Sequence, residues 1–231
     1  MKNLLVTGGC GFIGSNFINY YFYKNEEINI YNLDAMYYCA DEKNIIEEIR
    51  NSDRYKLIKG NLCSFDLLNH ILSTYKIDTI IHFAAQSHVQ DSFSDSFKYT
   101  NDNILGTHTL LEASRIYNKI TKFIHISTDY VFSGEQGLYA ESDAVLPQNK
   151  YAWSKLGGEA ALQMLDNYVI IRLSFGPDTF PYKAAFTDQY TSRESASVIS
   201  EKIKNIVLSD FKGLIHIGPS LPPDFPDVAG N

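Results

Sequence analysis

A chain of 231 residues, 45% of them hydrophobic, can bury one full α/β core but not two, so a single domain is expected. Its net charge of −7 offers no concentrated basic face for nucleic acid, no apolar run reaches the length of a membrane span, and no basic start leads into an apolar stretch of signal-peptide kind. Cys10, Cys39 and Cys63 lack any Cys-x-x-Cys pair and the histidines lack ligand spacing, so neither disulfides nor a metal site are expected, and a reducing cytoplasm suits the chain.

Asn3-Leu4-Leu5-Val6-Thr7 reads as a short buried strand and passes directly into Gly8-Gly9-Cys10-Gly11-Phe12-Ile13-Gly14. Glycines at 8, 11 and 14 suit a strand-to-helix turn whose backbone approaches a pyrophosphate closely and lets the next helix pack on the sheet. The helix predicted from Phe12 to about Tyr23 would turn its free N–H groups to the phosphates. Ile28 to Leu33 reads as a second strand, closed by Asp34 about twenty residues beyond Gly14, where a carboxylate can hydrogen-bond a ribose. Its charge would repel a 2′-phosphate, and no arginine stands between Ala35 and Glu42. NAD is therefore expected in preference to NADP, although Lys43 or Arg50 could fold back toward the site.

Helical and strand signals then alternate, as in a doubly wound parallel sheet. A helix is predicted over Asp41–Asn51, a strand over Tyr55–Lys59, a helix over Phe65–Tyr75 and a strand over Asp78–Phe83. Ala84 and Ala85 follow, small enough for a cofactor to lie against the backbone. A long helix over Asp95–Tyr117 leads to a strand over Lys122–Ser127; Val169–Leu173 and Leu214–Ile217 supply two more, with a helix near Glu194–Leu208 between them. One α/β domain is expected over residues 1–218, with 178–193 in a small substrate-binding portion and a proline-rich tail over 219–231 that reads as extended or disordered.

Tyr151 and Lys155 fall one turn apart on one face of a helix. An ammonium beside a phenol favours the phenolate, so the Tyr151 pKa is expected to come down from about 10 toward the range of a general acid or base. Such spacing is common in helices, and the pair gains weight from the glycine turn, Asp34 and the alternating pattern before it.

In order along the chain, Gly8-x-x-Gly11-x-x-Gly14, Asp34, His82-Phe83-Ala84-Ala85, Asn103-Ile104-Leu105-Gly106-Thr107, Ser127-Thr128-Asp129 and Tyr151-x-x-x-Lys155 resemble the extended short-chain dehydrogenase/reductases that act on nucleotide sugars. The resemblance runs from Met1 to about Pro219. It implies a Rossmann-type fold, a nucleotide-sugar substrate, and NAD, with NADP possible. The implied cofactor contacts are Gly8, Gly11, Phe12, Ile13, Gly14, Asp34, Asn61, Leu62, Phe83, Ala84, Ala85, Asn103, Ser127, Tyr151 and Lys155. It also implies that Asn103 bends the long helix and supports the lysine, Thr128 hydrogen-bonds the substrate oxygen, Tyr151 exchanges its proton and Lys155 holds the nicotinamide ribose. A homodimer packed through the long helix and the Tyr/Lys helix is implied as well.

Two branches of that family are mixed in the chain. Gln86-Ser87-His88-Val89 and Asp91-Ser92-Phe93 resemble the nucleotide-sugar 4,6-dehydratases, whose Ser-Thr-Asp-Glu-Val-Tyr segment supplies an aspartate and a glutamate to eliminate water. Ser127-Thr128-Asp129-Tyr130-Val131-Phe132 has Tyr130 in place of that glutamate and, with Gly134, Glu141, Pro147 and Ser154–Glu159, resembles the dTDP-4-dehydrorhamnose reductases. Reduction of a 4-keto-6-deoxy sugar carried on dTDP or UDP is therefore the main expectation. A 4-epimerase or 4,6-dehydratase is the alternative, and a non-catalytic dinucleotide-binding sensor or scaffold is a third reading. Gln86, His88, Thr128, Asp129, Tyr130 and Arg193 are the expected substrate contacts. Lid packing by Tyr130, turn capping by Asp129 and a surface salt bridge from Arg193 stay open. Asn61 stands where relatives have an aspartate and can still hydrogen-bond adenine. Relatives continue beyond Gly218-Pro219, so a shallow substrate site, or one covered by a partner subunit, is expected.

Overall fold

The apolar run of the first strand, β1 (Asn3–Thr7), divides between two cores: Leu4 and Val6 face one, Leu5 the other, and all three are fully buried. A strand covered on both faces belongs inside a sheet sandwiched by helices. The computed structural model, which describes residues 1–179 and 191–219, has this arrangement. All strand pairings are parallel. β1 lies between β2 (Asn29–Asp34) and β4 (Thr79–His82); β3 (Tyr55–Lys59) pairs with the far side of β2, and β5 (Lys122–Thr128) with that of β4. Beyond β5 runs β6 (Tyr168–Gly176), whose Val169–Leu173 pairs with β8 (Gly213–Ile217) and whose Ser174–Gly176 pairs with β7 (Arg193–Ser195).

Helices α1 (Phe12–Phe22) and α8 (Ala196–Leu208) cover the Leu4 face with Phe17, Ile18, Tyr21, Ile199 and Ile203. Helices α3 (Phe65–Thr74) and α6 (Gly106–Tyr117), with α7 (Lys150–Ala161) packed beside α6, cover the Leu5 face. The strand order 3-2-1-4-5-6 reverses between β1 and β4, which opens a crevice at their carboxyl ends. The Rossmann-type doubly wound sheet is thus present as expected.

Three segments depart from the sequence-based reading. Asp41–Asn51 is not one helix: a 3-10 turn (Glu42–Asn44) is followed by Ile45 and Ile46 in extended backbone, then by the short α2 (Glu47–Arg50). The interruption buries Ile45 and Ile49 in the α1 core, while the Ile46 N–H finds the Asn19 side chain at 3.1 Å. The long helix comprises α5 (Ser96–Tyr99), a π segment (Thr100–Leu105) and α6, and an unforeseen short helix, α4 (Val89–Ser94), precedes it; Asp95 caps α5 by accepting from Lys98 N–H. β7 carries no strand signal of its own and, among the described residues, pairs only with the end of β6. Most of the expected substrate portion (180–190) and nearly all of the tail (220–231) lie outside the described residues. Among the described residues no helix is long and apolar enough to cross a membrane.

Candidate active site

The glycine turn is built as its spacing requires. Gly8 sits at φ +72°, and a Cβ there would fall 2.6 Å from the Ala84 backbone, so β1 and β4 can approach at the reversal point because residue 8 has no side chain. Gly11 N–H donates to Gly8 O at 3.2 Å, and a Cβ on Gly14 would collide with that same carbonyl. Asp34 is nearly buried and accepts from Cys10 N–H at 2.9 Å and Met36 N–H at 2.8 Å. It therefore braces the turn as well as lining the cavity. Asn32, not foreseen as a site residue, completes the brace: its Oδ1 accepts from Gly9 N–H at 3.0 Å and its amide donates to Tyr55 OH at 2.9 Å. The readable signal was a polar side chain inside an otherwise apolar strand. Burial pushes the Cys10 thiol up to about 12, with Asp34 adding to the rise, so it stays un-ionised.

The second half of the site hangs on Asn103, buried in the π segment. Its Oδ1 accepts from Gln86 N–H at 2.7 Å, and its amide donates to Gln86 O at 3.0 Å and to Ser154 Oγ at 2.8 Å. Gln86 in turn donates to Asp102 at 2.7 Å. Asn103 lies in the π segment, and its link to the lysine is indirect: the amide reaches Ser154, whereas Lys155 donates to the Ile126 carbonyl at 2.7 Å. Below Asn103, Thr107 donates to its carbonyl at 2.7 Å, so Thr107 must accept from His82 Nε2–H at 2.9 Å. That leaves His82 Nδ1 to accept from Thr7 at 2.7 Å, the pattern of a neutral ring. Burial brings His82 down to about 3, and burial with the Lys155 charge holds His125 well below its ordinary range.

Burial brings the Lys155 ammonium down to about 8, with Glu159's charge opposing the fall. Tyr151 moves opposite to the expectation. Burial pushes its phenol above 10, the Thr128 hydrogen bond opposes this, and Asp129 adds to the rise. The expected phenolate stabilisation fails because Lys155 is turned to the Ile126 carbonyl and its charge does not offset burial. Tyr151 is thus set as a proton donor in this state.

Around Tyr151 stand the remaining expected contacts. Thr128 donates to Asp129 at 3.2 Å and accepts from Tyr130 N–H. Asp129 is held by the Ser192 hydroxyl, and burial raises its carboxyl. Tyr130 is 44% exposed, lines the cavity and stands edge-on to Tyr151 at 6.4 Å. Arg193 lines the cavity with its aliphatic stem over Gly176. No salt bridge engages it among the described residues. His88 is an exposed rim residue, edge-on to Tyr38 at 4.9 Å. Ser127 donates to Glu159, an acid that Arg172 also grips.

One cavity of about 470 Å³ unites these parts. Gly8, Gly11, Phe12, Ile13, Gly14 and Asp34 lie along it with Asn61, Leu62, Phe83, Ala84 and Ala85; Gln86, His88, Ser127, Thr128, Tyr130, Tyr151, Lys155 and Arg193 continue it. Asn103 is behind its wall, not on it, and Asp129 is reached through Thr128. Tyr37 closes the Asn61 end, accepting from the Asn61 amide at 2.8 Å, while Phe12 stacks on Phe175 at 5.8 Å. Glycine-turn N–H groups, a ribose-distance carboxylate and small residues after β4 fit a dinucleotide, with the Tyr151/Thr128/Lys155 group on the same cavity. Among the described residues no cluster of side chains could hold a metal ion.

Residues 5–175 match the sequence model of the family described as GDP-mannose 4,6 dehydratase. The chain is 40% identical over 190 residues to human dTDP-D-glucose 4,6-dehydratase, covering 79% of this chain and 54% of that protein. It is likewise 40% identical over 193 residues to a trifunctional UDP-glucose 4,6-dehydratase/UDP-4-keto-6-deoxy-D-glucose 3,5-epimerase/UDP-4-keto-L-rhamnose-reductase of Arabidopsis thaliana, covering 79% of this chain and 29% of that protein. The chain thus spans about half the length of the first and under a third of the second. Among solved structures, a dTDP-glucose 4,6-dehydratase of Streptomyces venezuelae with NAD bound superposes with a TM-score of 0.83 at 26% identity, covering 95% of this chain and 76% of that one. A UDP-glucuronic acid 4-epimerase of Bacillus cereus, solved with UDP-glucuronic acid and NAD, gives 0.81 at 26% identity, covering 95% and 78%. By sequence, fold and site, this chain belongs to the nucleotide-sugar dehydratase and epimerase group of the extended short-chain dehydrogenase/reductases, in the family of the GDP-mannose 4,6 dehydratase model.

Proposed function

We propose that the chain carries the cofactor site and proton-transfer residues of an NAD-dependent enzyme that oxidises C4 of a UDP- or dTDP-linked sugar and returns the hydride to that sugar, as a dehydratase or an epimerase. The observation that carries this reading is the convergence of Tyr151, Thr128 and Lys155 on the cavity that begins at the glycine turn and Asp34. NAD supplies the hydride acceptor when bound. The glycine-turn N–H groups and α1 would hold its pyrophosphate, Asp34 and Lys155 its two riboses, and Asn61 and Leu62 its adenine. Thr128 orients the C4 oxygen, and Tyr151 takes its proton as the phenolate when C4 is oxidised and returns it as the phenol when C4 is reduced. Glycosyl diphosphate contacts are assigned to Arg193. A second copy packing on α6 and α7 accounts for exposed Leu105, Ile116 and Trp153 on that side.

The relatives favour dehydration or epimerisation over the net reduction expected from Ser127–Phe132. One observation keeps reduction as a second reading: Tyr130 faces the cavity where a dehydratase needs a carboxylate base. Incubation of the full chain with NAD and UDP- or dTDP-glucose separates the outcomes. Conversion of the sugar with reduced cofactor constant supports the first reading, with loss of water marking dehydration and an unchanged mass marking epimerisation. Stoichiometric consumption of NADH with a 4-keto sugar replaces it by the second, and NAD binding without turnover of any of these sugars refutes both.

A further inference from the structure

We propose that Glu159, paired with Arg172 between α7 and β6, is a positioning residue for Lys155: it anchors the strand that receives the lysine ammonium and faces that ammonium with compensating charge. The inference rests on the proposed function only in taking Lys155 as a group that must stay charged.

Glu159 lies one helical turn beyond Lys155 on α7, on the same face, and both are buried. Arg172 donates to it through Nε at 3.1 Å and through its second nitrogen at 2.8 Å, a bidentate grip. The Ser127 hydroxyl is a third donor to the same carboxylate. An acid receiving three such bonds is an ionised acceptor. Ser127 follows Ile126 on β5, and the Ile126 carbonyl accepts from Lys155 Nζ at 2.7 Å. Lys155, Ile126, Ser127 and Glu159 therefore close a ring between helix and strand, which holds the carbonyl that receives the ammonium in register with α7.

Charge argues the same way. On β5 and β4 the neutral His125 and His82 lie within reach of the ammonium's charge; on its own helix Tyr151 and Glu159 stand one turn to either side of Lys155, and Arg172 of β6 is paired with Glu159. Glu159 supplies the negative charge in this buried set, and it opposes the loss of the lysine proton. A pair that merely stapled α7 to β6 would leave the lysine titration alone.

The test follows the Lys155 Nζ resonance in the full chain labelled on lysine, identified by its disappearance in Lys155→Met. Glu159→Gln is expected to move its titration to lower pH by about tenfold in proton affinity. Arg172→Met breaks the same staple but keeps the carboxylate, so its lysine titrates at or above the wild-type pH. Should Glu159→Gln leave Arg172 unpaired and fail to fold, Glu159→Gln/Arg172→Met removes both charges and is also expected to titrate below wild type. A titration that Glu159→Gln or the double variant leaves in place, or that Arg172→Met lowers as far, overturns the proposal. The alkaline limb of turnover should follow the resonance. A shifted resonance in a protein with no turnover keeps this inference and sinks the proposed function, whereas turnover with an unmoved resonance does the reverse.

Discussion

Asn103 donates its side-chain amide to Ser154 Oγ at 2.8 Å, and this contact ties the π segment of the long helix to the turn that bears Tyr151 and Lys155. Asparagine suits the position because one end of its amide donates twice while the other accepts from Gln86 N–H. Asn103→Leu fills the space but orphans the buried Gln86 N–H. Stability should fall by on the order of 2–3 kcal/mol, read from urea unfolding. Turnover should fall further than NAD affinity, because Gly8 and Asp34 do not depend on this contact. Equal losses in both would count against it.

Gly8 and Gly134 share a positive φ, +72° and +79°, yet only Gly8 has a neighbour where a Cβ would go. Gly8→Ala must push the Ala84 backbone away and so distort the crevice at its origin, whereas Gly134→Ala meets only the strain of the left-handed region, roughly 1 kcal/mol. NAD binding measured by calorimetry should be lost in the first variant and kept in the second. Retention in both would remove the close β1–β4 approach from the cofactor site.

The parts legible in the sequence were those whose physics is local. β1 follows from a short apolar run, and the glycine turn and Asp34 from a spacing suited to a backbone that approaches a pyrophosphate and a ribose. What escaped depends on segments meeting in space. Arg172 and Glu159 stand 13 residues apart on different elements, and nothing in either neighbourhood announces the pairing. Ser192 reaches Asp129 across 63 residues. A neighbour's charge alone predicts a lowered Tyr151 pKa, whereas burial and the direction in which Lys155 points decide the sign.

Tyr130 should decide the fate of a C4 ketone. Elimination of water needs a base for the proton beside the ketone, and an un-ionised phenol is a poor one near neutral pH. Tyr130→Glu is expected to raise the yield of 4-keto-6-deoxy product from UDP- or dTDP-glucose, followed by mass spectrometry, while Tyr130→Phe leaves C4 chemistry within a few fold. Tyr151→Phe is the contrasting case, with turnover down about 10²–10⁴-fold and NAD affinity kept. No added dehydration by the Tyr130→Glu variant would remove residue 130 from the base position.

His82 and His125 predict acid lability with a definite sign. Both are fully buried and neutral, His82 down to about 3, so below the ordinary histidine range of about 6.5 the unfolded chain binds protons that the folded one refuses. Stability is therefore full above about 6.5 and is lost as pH falls toward the folded values. For His82 the loss between neutral pH and about pH 4.5 is on the order of 3 kcal/mol, a large share of a typical domain's stability. The two rings differ in what else they do. His82 joins Thr7 to Thr107, whereas neither His125 nitrogen has a hydrogen-bond partner among the described residues, so His125→Leu removes a titrating group without breaking a bond there. Urea midpoints at about pH 5 and pH 7 should lie closer together in His125→Leu than in wild type; an unchanged gap would mean that His125 is not held neutral in the folded chain.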